Sequence, residues 1–147
     1  MYRWVDHTAE LELQLEAATE EGIFAEALAA LGELLGERSS GAPGDPARHE
    51  VSASAPDQPT LLAEWLSELV FLAETEQFVP EHVDSLSIGS SSHGEPRDVV
   101  AHRAIDLEAT VSGTRASPPH LVKAVTYHRL EMHAQDETWR ARVVLDV

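Results

Sequence analysis

The sequence predicts an α+β protein, with two amphipathic helices packed on a mixed, mostly antiparallel sheet of about six or seven strands. Two segments repeat apolar residues at the spacing of one helical face, while the remaining ordered segments alternate apolar with polar or are rich in β-branched residues. The order is β-β-α-β-α followed by a run of strands. Two helices are too few to cover both faces of a parallel sheet, which points to helices on one face of an antiparallel one.

Tyr2 to His7 reads as extended, and so does Glu10 to Glu16, where Leu11, Leu13 and Leu15 alternate with Glu10, Glu12, Gln14 and Glu16. His7, Thr8 and Ala9 form a short turn or bulge between them. Thr19 is suited to cap a helix whose first turn holds Glu20 and Glu21, where the helix dipole favours acids. Phe24, Leu28, Leu31 and Leu35 then fall on one face, and Gly36 suits the C-terminal cap. Residues 37–48, rich in Gly, Ser, Pro and Ala, read as a surface loop, and His49 to Ala55 as a short strand. Pro59 and Thr60 open a second helix with Leu62, Trp65, Leu66, Leu69 and Ala73 on its apolar side, ending near Gln77 before Pro80. Val83–Ile88, Ala104–Val111, Leu121–His133 and Trp139–Val147 complete the strands, with breaks at Gly89–Pro96 and Ser117–Pro119.

At 147 residues the chain is expected to form one domain, residues 1–147. It carries 26 Asp and Glu against 10 Lys and Arg, a formal net charge of −16, yet 43% of its residues are hydrophobic, so the acidity describes a surface and not disorder. Residues 1–76 hold 16 acids and three bases, and Lys123 is the only lysine. Such a surface repels phosphate backbones, and no basic stripe is apparent, which argues against direct, tight binding of RNA or DNA. The absence of cysteine removes disulfide scaffolds, thiolate zinc sites and Cys nucleophiles. No apolar segment follows Arg3 and no run approaches the ~18 apolar residues of a membrane span, so a cytoplasmic, membrane-free protein is expected.

Three short segments carry candidate chemistry: Asp6–Glu10 (DHTAE), Lys123–His128 (KAVTYH) and Leu145–Val147 (LDV). If the strand opened by Glu10 lies beside the last strand, Glu10, Asp146 and the Val147 carboxylate converge at one edge. They would repel one another unless a cation or protons intervened, and an all-oxygen set suits a hard cation such as Ca²⁺ or Mg²⁺. Solvated acids at strand ends are the plain alternative. Asp6, His7, Glu10 and His128 could instead furnish a His/carboxylate metal site for a hydrolase, although no HExxH spacing is present. His49, His82, His93 and His120 lie in or near loops and are expected to be solvated. There is no GxSxG elbow, no GxGxxG and no Walker A pattern, which leaves nucleophilic catalysis and self-contained nucleotide use without support. The KAVTYH segment reads as a central strand with Val125 and Tyr127 packed inward. Lys123 would either restrain the acidic cluster or mark a contact.

Taken together, the aromatic strand leading to H-T-A-[D/E], the Leu61–Leu69 helix (LLAEWLSEL), the KAVTYH strand and the terminal VLDV resemble the archease family over nearly the whole chain, least so at residues 37–60 and 89–120. The resemblance implies a small α+β protein with no catalysis of its own that activates an RtcB-type GTP-dependent RNA ligase. That ligase uses Mn²⁺ and a guanylylated histidine to join ends in tRNA splicing and RNA repair, and the activator promotes guanylylation and multiple turnover, meeting RNA only through the ligase. The family's divalent-cation site falls on Glu10, Asp146 and Val147, with Ca²⁺ favoured over Mg²⁺ or Mn²⁺. Glu10 stands where the family usually has Asp, a reach longer by about one C–C bond of 1.5 Å. Calcium tolerates that difference better than magnesium, which demands near-octahedral geometry. A metal-free, chaperone-like modulator of RNA-processing proteins is the further alternative.

Overall fold

A computed structural model describes residues 1–37, 39, 44–93, 102–118 and 120–147. The alternation of Leu11, Leu13 and Leu15 with polar residues produces β2 (Glu10–Ala17), paired antiparallel with β1 (Tyr2–His7) through a two-residue turn in which Ala9 takes the left-handed φ of 60°. Helix α1 (Glu20–Glu37) starts where Thr19 Oγ1 accepts the Gly22 N–H at 3.0 Å. It runs one residue past Gly36, the expected cap. Strand β3 (Pro46–Ala55) begins earlier than the loop-like composition of residues 37–48 suggested, with proline at its first position, where a missing donor costs nothing. Helix α2 (Gln58–Thr75) is capped by Asp57, whose Oδ1 accepts the Thr60 N–H at 2.8 Å.

The chain then continues as β4 (Phe78–His93), β5 (His102–Arg115), β6 (Ala124–Gln135) and β7 (Thr138–Asp146). Strand β4 starts well before Val83 and runs through Gly89–His93, part of the expected break at Gly89–Pro96. Residues 94–96 of that break, and Pro119 of the Ser117–Pro119 break, lie outside the described residues. Pro80 is accommodated because β4 is an edge strand whose register shifts on either side of Glu81 and Asp84.

Among the described residues every pairing is antiparallel, and seven strands divide between two sheets, β1-β2-β7-β6 and β3-β5-β4, where a single sheet was expected. The helices explain the division. Buried residues on α1 include Ile23, Phe24, Ala27, Leu28, Ala30, Leu31, Leu34 and Leu35, more than one stripe of the helix. Accordingly α1 packs on β2 of one sheet and β4 of the other, and α2 on β6 and β3. Trp65 ties the helices together, donating Nε1–H to the Phe24 carbonyl at 2.9 Å and meeting the Phe24 ring edge-on at 6.3 Å. The α1–β4 contact is close enough that a Cβ on Gly32 would lie 2.0 Å from the Pro80 carbonyl oxygen.

Candidate functional site

In the four-stranded sheet, Leu13, Leu15, Val143 and Leu145 face the helices and the core. Directly opposed residues share a face, so Glu10, Glu12, Gln14 and Glu16 of β2 stand on the outer face with His7 and Arg3 of β1 and Asp146, Val144, Arg142 and Arg140 of β7. Of the candidate metal donors, His7, Glu10 and Asp146 stand on this face and Asp6 does not.

At one end Glu10 pairs directly with Asp146. Val147 is drawn in beside them, its N–H donating to the Ala9 carbonyl at 3.2 Å, and the Lys123 N–H donates to the Asp146 carbonyl at 2.8 Å. Residues opposed in this way have Cβ atoms about 5 Å apart, and like charges so placed repel. Among the described residues neither Glu10 nor Asp146 forms an ion pair. Glu10 and Asp146 offer carboxylate oxygens of the kind that suits a hard cation such as Ca²⁺, while His7 stands directly opposite Glu10 on its other side. No group of three His, Cys, Asp or Glu side chains among the described residues is arranged to hold a metal.

The His/carboxylate set is not assembled. Asp6 opposes Leu11 and so lies on the face opposite His7 and Glu10, and His128 sits in a bulge of β6, where its N–H bonds Thr126 Oγ1 at 3.3 Å. His7 interacts with Glu12, and His49 and His120 are engaged by the Phe78 ring and Glu74 instead of being simply solvated.

One row inward from Glu10, the structure places a group the sequence did not single out. Glu12 is only 5% exposed and is the one buried charged residue described, although it faces away from the helices. Gln14 donates to its Oε2 at 2.7 Å, while Arg129 Nη2 lies 3.4 Å and His7 Nε2 3.6 Å from Oε1. The Gln14 hydrogen bond holds the Glu12 carboxyl below its ordinary value; burial pushes the other way, and Arg129, Arg142 and His7 reinforce the lowering. To reach β2, Arg129 must cross over Val144 of β7, which is fully buried there. The crossing depends on the β6 bulge between Thr126 and Glu131, where Arg129 adopts a φ of 54° and its carbonyl accepts Arg142 Nε–H at 3.1 Å. Composition gives no sign of such a bulge; the only hint is the i, i+2 spacing of Arg140 and Arg142, which matches the acidic alternation of β2.

The same bulge corrects the reading of KAVTYH. Strand β6 lies at the sheet edge, Val125 turns inward, and Tyr127 is 58% exposed with its hydroxyl donating to Glu64 of α2 at 2.7 Å. That bond to a carboxylate raises the phenol above its ordinary value, with burial and the Glu64 charge adding to it.

The sequence profile of the archease protein family matches residues 2–147. The chain belongs to the archease family. It is 30% identical over 148 residues to the protein archease of Methanosarcina barkeri, covering 99% of this chain and 95% of that one, and 30% identical to that of Pyrobaculum islandicum with the same coverage. Its fold is similar to the solution structure of Methanobacterium thermoautotrophicum protein 1598, with a TM-score of 0.65, 24% identity and coverage of 99% and 98% of the two chains. It is also similar to a crystal structure from Thermotoga maritima described as an archease, possible chaperone, with a TM-score of 0.59, 17% identity and coverage of 100% and 98%. As in an archease fold, two helices stand with seven antiparallel strands among the described residues, and no described helix is long and apolar enough to cross a membrane.

Proposed function

We propose that this archease is a non-catalytic protein cofactor of an RtcB-type RNA ligase, promoting its GTP-dependent guanylylation and multiple turnover in tRNA splicing and RNA repair. The observation that carries the reading is the direct opposition of Glu10 and Asp146 with no cation from the described residues between them. Together with the Val147 carboxylate they would hold a divalent cation, Ca²⁺ before Mg²⁺ or Mn²⁺, and present it with Lys123 at the sheet margin. The net charge of −16 supports engagement with a basic, RNA-handling enzyme and steers the encounter, while keeping RNA itself at a distance.

The test is to mix the protein with a cognate ligase, GTP and Mn²⁺ and follow guanylylation over many turnovers. Stimulation by wild type, lost in Glu10→Ala and Asp146→Ala, is the expected result. Absence of stimulation by wild type ends the reading; equal stimulation by both variants keeps the activator and removes the acidic edge from it. The name given to the Thermotoga maritima relative supports one other reading, a metal-free chaperone-like modulator. Stimulation that survives removal of every cation but the ligase's own Mn²⁺ would favour it.

A further inference from the structure

The other end of the same outer face has the opposite character. A concave groove of about 410 Å³ is lined there by Arg3, Gln14, Glu16, His133, Arg140 and Arg142, among others. Strand register explains why they meet: Arg3, Gln14, Arg142 and Glu131 form one row across the four strands, and Glu16, Arg140 and His133 form the next. Arg142 is engaged, holding Glu131 Oε2 at 3.2 Å and the Arg129 carbonyl. Among the described residues Arg3 and Arg140 form no ion pair or side-chain hydrogen bond, although Glu16 stands directly opposite Arg140. In a chain with 26 acids to neutralise 10 bases, two unengaged guanidinium groups facing one concavity are unexpected.

We propose that this groove binds a small phosphate-bearing anion of about nucleotide size. Guanidinium groups present forked donors that match phosphate oxygens in pairs, and the His133 ring and Gln135 amide add further donors at the same rim. The volume lies within the ~300–1,000 Å³ of ordinary small-ligand sites. A long polyanion is disfavoured because its flanking phosphates would run beyond the groove over the acidic remainder of the surface, in a chain of net charge −16. An acidic peptide is disfavoured because a carboxylate offers two oxygens and one charge where a phosphomonoester offers three oxygens and nearly two charges.

The probe is inorganic pyrophosphate, titrated at physiological ionic strength so that exposed charges are screened. The readout is the Nε–Hε signals of Arg3 and Arg140 and the Gln135 side-chain amide in NMR spectra. Saturable shifts at all three are expected, with Arg3→Gln and Arg140→Gln each weakening the apparent affinity about tenfold, or about 1.4 kcal/mol, in folded protein. Glu10→Gln, at the far end of the face, should leave the titration unchanged. The proposal is overturned by shifts that stay linear into the millimolar range, by affinity unaffected in the arginine variants, or by a hexaglutamate peptide saturating the same signals at lower concentration than pyrophosphate. None of these outcomes bears on the ligase reading, which rests on the opposite end of the sheet.

Discussion

Glu10 and Glu12 stand two residues apart on the same face of the same strand, and their surroundings could hardly differ more. Glu12 is buried, accepts the Gln14 amide and lies within ion-pair distance of Arg129 and His7. Glu10 is half-buried, faces Asp146 and has no cation among the described residues. The difference teaches that the sheet can neutralise a carboxylate when its stability requires it, here by bending β6 so that Arg129 passes over Val144. No comparable arrangement has been made one row further out. That opposed pair is what the proposed cation site rests on.

The largest expected effect comes from supplying that charge. A cation binding only the folded state adds about 2.7 kcal/mol of stability at a hundredfold excess over its dissociation constant, or a rise in Tm of about 5–10 °C for a chain of this size. Calorimetry with saturating Ca²⁺ and with chelator should show the rise in wild type and not in Glu10→Gln or Asp146→Asn. Equal rises in all three proteins would remove the edge as a cation site.

Breaking the compensated carboxylate comes next. Glu12→Leu leaves the Gln14 amide and the Arg129 guanidinium without their acceptor, and a stability loss of about 1–2 kcal/mol is expected from urea unfolding in the absence of cation. Arg129→Ala should lose less, because the guanidinium is 41% exposed and water replaces it at the carboxylate.

Acid sensitivity separates the two glutamates in another way. Glu12 has a folded value held below the ordinary one by Gln14, against burial and with help from Arg129, Arg142 and His7. Its contribution is therefore complete above the ordinary glutamate range and is lost as pH falls through the depressed folded value. Wild type should lose stability more steeply than Glu12→Gln across that acid window, and parallel pH–stability curves would contradict the assignment.

Much of this was legible in the sequence wherever a period was regular. Leu11, Leu13 and Leu15 set the inner face of β2, Phe24 to Leu35 and Leu62 to Ala73 set the helices, and once β2 met β7 the opposition of Glu10 and Asp146 followed. What could not be read depended on departures from the period. The bulge between Thr126 and Glu131 inserts residues with no partner on β7, and that insertion exposes Tyr127 and carries Arg129 over to Glu12; the edge position of the KAVTYH strand is likewise set by strand order and not by its own pattern. Small residues of low strand propensity hid the extent of β3 and β4, since Ala47 and Gly89–Ser90 are held in strands by pairing with β5 and not by their own propensity. The arginines of the opposite groove are scattered at positions 3, 140 and 142, so only strand order could reveal that they share a face.

The smallest effect is the most diagnostic, because its sign is opposite for two similar substitutions. Glu10→Gln changes neither size nor hydrogen-bonding reach by much, yet it removes one of two like charges set directly across β2 and β7. With cations chelated, repulsion between such opposed residues destabilises by a fraction of about 1 kcal/mol, so Glu10→Gln should stabilise the protein by about 0.5 kcal/mol. Glu12→Gln removes a charge that Arg129 lies close enough to balance, and should destabilise it under the same conditions. Saturating Ca²⁺ should then reverse the first result, since wild type gains the cation and Glu10→Gln does not, while the deficit of Glu12→Gln persists. A Glu10→Gln protein that is less stable than wild type in chelator would mean that the carboxylate is already balanced within the fold, and the distinction between the two glutamates would collapse.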